Sequence, residues 1–111
     1  MEKNATDING VRIIPIRGRF TATNSLQLRN AVEEALPVPG KIVLNLVDMT
    51  YIDSTGVGVL GVLRDLSRSY GHEMKLVGLQ MCPRCVFCIL KVYSLFQVYD
   101  SLNAALESFQ D

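Results

Sequence analysis

Apolar positions along this chain alternate between two arrangements. "VRIIPI" (11–16), "KIVLNLV" (41–47) and "MKLVGL" (74–79) are short, compact apolar runs rich in branched residues. The last two have the form of strands covered on both faces. Between these runs the spacing turns helical. Leu28, Val32, Ala35 and Leu36 recur on one face, with Arg29, Glu33 and Glu34 on others. Leu60, Leu63 and Leu66 do the same against Arg64, Asp65 and Arg68, in a helix running to Tyr70 with Gly71 as its C-cap. Pro83 suits the first turn of a third helix, expected to run to about residue 93. "FQVY" (96–99) forms a last short strand. Asp100 or Ser101 then caps a helix carrying Leu102, Ala105, Leu106 and Phe109.

Turn signals fall between the elements. Residues 1 to 7 are weakly patterned and suit a short edge strand; Asn9-Gly10 is a turn dipeptide. Pro15 marks an edge or a strand end, and Gly18 breaks the pattern. "TATNS" supplies helix caps before Leu26, and "PVPG" (37–40) ends that helix. The order is β(β)αβαβαβα. It predicts an α/β protein with a small, largely parallel sheet of four to five strands and about four helices.

The chain has 111 residues, which suits one domain over 1–111. With 49% hydrophobic residues it can bury a core without disulfides or metals. Lys plus Arg and Asp plus Glu stand at 11 each. That balance leaves no electrostatic footprint for nucleic acid. "MEKNATDING" lacks the apolar core of a signal peptide, and no apolar run approaches the roughly 20 residues of a spanning helix. A soluble cytoplasmic protein without a membrane partner is expected.

Candidate chemistry gathers in "IDSTGVGVL" (52–60), where a strand-rich region passes into a helix. In open α/β sheets that is the end at which sites form, and unpaired helix N–H groups favour an anion there. A hydrolase elbow would need glycine where Ile52 stands, and a histidine nearby. His72 is the only histidine, about 18 residues and about 27 Å of helical rise from Ser54. A P-loop would need a lysine after its glycines, and none follows. Gly56, Gly58 and Gly61 fit G-x-G-x-x-G in spacing, but no carboxylate ends the next strand. A receiver domain would need an acidic pair after an earlier strand. The plainest alternative is that Asp53 or Ser54 caps the helix while the glycines permit close packing.

The stretch "KIVLNLVDMTYIDSTGVGVLGVL" also resembles the centre of the STAS domain, in particular the stand-alone bacterial anti-sigma factor antagonists. Tyr51, Ile52, Asp53, Ser54, Thr55, Gly56, Val57 and Gly58 match the family's D-S-[ST]-G-hydrophobic-G pattern position by position. "IRGRFTATNSLQLRNAVEEAL" is similar to its second strand and first helix, "GHEMKLVGL" to its fourth strand, and "LFQVYDSLNAAL" to its closing strand and helix. The resemblance implies the STAS fold, no enzymatic activity and no cofactor. It implies phosphorylation at Ser54 by a partner that is both anti-sigma factor and serine kinase, with a serine phosphatase to reset the switch. The unphosphorylated protein would capture that partner and free a sigma factor. Asp53, Ser54, Thr55, Gly56, Val57, Gly58 and Thr21 would form the partner surface. The alternative within the family is a scaffold or regulatory subunit, in a stressosome-like or transport complex, without phosphorylation. The chain departs from the pattern at Thr21, where an acid often stands, at Ser94, where a glycine often stands, and in its cysteine-rich third helix.

Cys82, Cys85 and Cys88 form C-x-x-C-x-x-C. Val92 stands where a fourth cluster ligand would be, and His72 is the only histidine available for zinc. Core packing is the expectation, because free cysteine behaves as a small hydrophobe; redox or metal chemistry is the alternative. "VFCIL" (86–90) is apolar all round its turn, the form of a helix buried on most sides. Any exposed part would make a patch for a partner. Arg64 and Arg68, one turn apart, read as a solvated face.

Overall fold

The computed structural model describes residues 6–35 and 41–109. Seven strands and four helices follow in the order β1 (Thr6–Ile8), β2 (Val11–Pro15), β3 (Gly18–Phe20), α1 (Ser25–Ala35), β4 (Lys41–Asn45), β5 (Met49–Ile52), α2 (Ser54–Ser69), β6 (Glu73–Val77), α3 (Met81–Ile89), β7 (Val98–Tyr99) and α4 (Leu102–Ser108), with a 3₁₀ turn at Tyr93–Leu95. The main sheet has the order β1-β2-β4-β6-β7. Its first pair is antiparallel and the other three are parallel. The expected α/β class, the number of helices and the largely parallel five-stranded sheet are all found.

Alternation along the central strands divides the core in two. Ile42, Leu44 and Leu76 point to the face covered by α1, α2 and α3, where they meet Leu28, Val32, Leu60, Leu63 and Phe87. Val11, Ile13, Val43 and Val77 point the other way, to Ala105 and Phe109 at α4. Each fully buried Leu, Ile or Phe contributes about 1.5–3 kcal/mol of burial free energy. On the α4 side Lys75 is buried, its Nζ 4.1 Å from the centre of the Phe109 ring.

Four elements differ from the sequence pattern. Gly18 does not simply break the chain: residues 18–20 and 49–52 form a second, two-stranded parallel sheet, in which Phe20 pairs with Ile52. The hydrophobic pattern marks neither strand, because three or four residues are too few to display a period of two; only the family resemblance of the segment from Ile16 implies the first. α3 stops at Ile89 rather than near residue 93, and Lys91 takes a left-handed φ of 59°. The last strand shortens to Val98–Tyr99. Pro15 closes β2, which has neighbours on both sides, so it marks an end and not an edge. Leu36 and "PVPG" lie outside the described residues.

Candidate functional site

The site is built where β5 passes into α2. Asp53 is extended, with φ −108° and ψ −179°, and its carboxylate accepts from the Gly56 N–H at 2.8 Å. Its carbonyl accepts from Val57 N at 3.0 Å. Asp53 is therefore the N-cap, one of the two expected candidates. This leaves the Ser54 and Thr55 N–H groups facing outward at the positive end of a sixteen-residue helix. Removal of the cap by Asp53→Ala is expected to cost about 1 kcal/mol in urea denaturation. Asp53→Asn, which keeps the acceptor, should lose far less; equal losses would deny the cap its role.

Helical phase then sorts the motif. Gly56, Leu60, Leu63 and Ser67 share the buried stripe. Ser54 and Gly58 lie about 160° from Gly56, at 100° per residue, and are exposed, as is Thr55. Two residues of the expected partner surface lie inward. Gly56 is buried, and Val57 is only 6% exposed. A Cβ at Gly56 would stand 2.7 Å from the Phe20 carbonyl oxygen and 2.8 Å from Ile52 Cγ1. Gly56 seats α2 on the small sheet, while Ser54, Thr55 and Gly58 are exposed and Asp53 and Thr21 are half-buried.

The small sheet brings the Thr21 loop to the same end. Phe20 pairs with Ile52, so Thr21 and Asp53 each leave the sheet one residue later. Thr21 N donates to Asn24 Oδ1 at 2.9 Å, and Thr21 Oγ1 accepts from Thr23 N at 3.3 Å. The loop thus closes on itself without an acid. Two residues outside the motif, Arg19 and Val62, border it. Arg19 stacks over the Tyr51 ring at 4.2 Å on the outer side of the small sheet. Val62, 53% exposed, continues the outer face of α2 beyond Gly58. An apolar residue among the polar positions of that helix was its available signal.

The cysteines reverse the expectation. All three are exposed. Pro83 and Phe87 are the buried residues of α3, and they fix its inward direction. Cys82, Cys85 and Cys88 then lie about 120° or more from that direction. Ile89 and Met81 are exposed too, so "VFCIL" is not buried all round: only Phe87 is sealed in, edge-on to Tyr93 and tilted on Phe96. Among the described residues no group of three or more His, Cys, Asp or Glu is placed to hold a metal ion, and no helix is long and apolar enough to cross a membrane.

A mixed sheet with three helices on one face and one on the other, carrying a D-S-T-G helix start, defines a STAS-type module. The STAS domain family model matches residues 2–105, and the chain belongs to that family. A STAS-domain containing protein of Pseudomonas aeruginosa (strain UCBPP-PA14) is 29% identical over 85 residues, 77% of this chain and 84% of that protein. Among solved structures, a candidate anti-sigma factor antagonist from Thermotoga maritima superposes with a TM-score of 0.88 at 22% identity, covering 96% of this chain and 93% of that one. The anti-sigma factor antagonist SpoIIAA, in its unphosphorylated form, superposes with a TM-score of 0.70 at 18% identity, covering 96% of each chain. The fold also recurs in a murine solute carrier 26 anion transporter, with a TM-score of 0.74 at 20% identity, covering 97% of this chain but 19% of the transporter.

Proposed function

We propose that this protein is an anti-sigma factor antagonist switched by phosphorylation of Ser54. The observation that carries the reading is the disposition of the first turn of α2. Asp53 is committed to the cap, Gly56 and Val57 to packing, and the Ser54 side of the helix faces solvent. A kinase can therefore reach the hydroxyl without unfolding anything. Ser54 Oγ bonds to the γ-phosphorus of the partner's ATP, the bridging bond between the β- and γ-phosphates breaks so that ADP leaves, and the hydroxyl proton passes to a base of the kinase. His72, beyond the far end of α2, does not serve Ser54 as a base, which favours acceptor over nucleophile.

Phosphate adds about −1.5 to −2 charges and three strong acceptors. The Ser54 and Thr55 N–H groups stabilise it locally. For a partner seated on Ser54, Thr55 and Gly58, the same group is bulk and charge in the contact. The partner is an anti-sigma factor with serine kinase activity, and a serine phosphatase resets the cycle.

Binding of that kinase-like partner to wild type, Ser54→Ala and Ser54→Asp is the test. The alanine variant should bind like unphosphorylated wild type and fail to release on addition of ATP. The aspartate variant should bind about 5–150-fold more weakly, the range of a 1–3 kcal/mol coupling. Equal affinity of all three would remove Ser54 from the mechanism. The transporter likeness and the absence of an acid at Thr21 favour a second reading, an unphosphorylated scaffold. Mass spectrometry of the protein from stressed and unstressed cells separates the two, since a scaffold would carry no phosphate at Ser54 in either.

A further inference from the structure

A cleft lies at the opposite end of α2 from Ser54. Its walls are the last turns of α2, the start of β6 and the segment leading into β7, and its volume is about 370 Å³. That is the size of a small-molecule site. It sits at the N-terminal ends of the parallel strands, about 20 Å along α2 from Ser54. It therefore has no share in the first turn of α2, and the inference does not depend on the switch proposed there.

Its polar groups are unevenly paired. Arg64 and Arg68 stand one turn apart on the same wall. Among the described residues Arg68 has no carboxylate within ion-pair distance. Arg64 has only its chain neighbour Asp65, at 3.2 Å, whose carboxylate is largely exposed, an arrangement of modest energetic worth. The nearby carbonyl end of α2 does not repel an anion strongly. Tyr70 N and His72 N donate to the Ser67 carbonyl, and Gly71 N donates to that of Arg68, at 2.9–3.1 Å. Glu73 on the rim offsets one positive charge.

Met74, Leu95 and Phe96 line one part of the cleft, and His72, Ser94 and Gln97 complete its walls. Met74 is 7% exposed and Phe96 is half-buried, its ring 5.5 Å from that of Phe87. Leu95, 51% exposed, flanks the opening. Two arginine donors beside three apolar side chains match a small amphiphile with an anionic head, and the nearby Asp65 and Glu73 disfavour a doubly charged one.

We infer that this cleft between α2, β6 and the 94–97 segment binds a small organic carboxylate, its head on Arg64 and Arg68 and its apolar body on Met74, Leu95 and Phe96. The bidentate fit of guanidinium to carboxylate supplies the specificity. The test is an NMR titration of the full chain with linear carboxylates from butyrate to octanoate, 4-phenylbutyrate, its neutral amide and phenyl phosphate. Saturable shifts confined to residues 64–74 and 94–97 are expected, with the amide at least tenfold weaker. Arg68→Gln, an exposed change that leaves the fold intact by its melting curve, should weaken the carboxylate at least tenfold. The inference is overturned by no saturable shift with any carboxylate, by equal binding of acid and amide, or by unchanged affinity in Arg68→Gln. Tighter binding of phenyl phosphate would also overturn it, since the cleft would then be built for a doubly charged head.

Discussion

Gly56→Ala is expected to destabilise the protein by about 1–3 kcal/mol, while Gly58→Ala, two residues on, leaves it unchanged or stabilises it by up to about 1 kcal/mol. Both changes put the same methyl group on the same helix and improve its intrinsic propensity equally. They differ in what the methyl meets. At Gly56 it stands 2.7 Å from a backbone oxygen of β3 and 2.8 Å from Ile52; at Gly58 nothing lies within 4 Å. The Phe20 carbonyl cannot rotate away as a side chain would, so α2 must lift from the small sheet. Paired urea melts read the contrast directly. Equal stabilities would mean that the first turn of α2 does not rest on β3 and β5, and the geometry of Ser54 would have to be redrawn with it.

Phe87→Ala should have the largest effect of all, about 3–5 kcal/mol. α3 buries only Pro83 and Phe87, and the Phe87 ring is fully enclosed. The truncation removes most of what fastens the helix. Hydrogen exchange should show the amides of 84–90 losing protection before those of β4 and β6. A loss of less than about 1 kcal/mol would show that other contacts hold α3 in place.

The contrast between α2 and α3 explains what was legible beforehand. In α2 the apolar positions outnumber the polar ones on one face alone, so Leu60 and Leu63 mark the buried stripe, and the cap is narrowed to Asp53 or Ser54. In α3 almost every residue is apolar, and composition carries no direction. Phase had to come from tertiary structure: the sheet admits Phe87 and Pro83, and the thiols of Cys82, Cys85 and Cys88 turn outward as a geometric consequence. The small sheet was hidden for another reason. Gly18 to Phe20 and Met49 to Ile52 are held by each other, across a gap of thirty residues, and neither carries enough local pattern to stand out alone. The strand-to-helix junction at Asp53 and Ser54 was readable in the sequence. The surface around it was not, because the burial of Gly56 and Val57 depends on that same small sheet.

The hairpin at the start of the main sheet has a consequence for how the chain finds this fold. Asn9 and Gly10 both take positive φ, as a two-residue type I′ turn requires, and they join β1 to β2. Among the described residues it is the only antiparallel pair; β2–β4, β4–β6, β6–β7 and β3–β5 are all parallel crossovers. A hairpin closes in about 1–10 μs, whereas parallel pairs must first close long loops against chain entropy. The rate of folding is therefore governed by the crossovers through α1 and α2. A faster turn at residues 9–10 would leave it untouched, and a shorter route from β2 to β4 would quicken it.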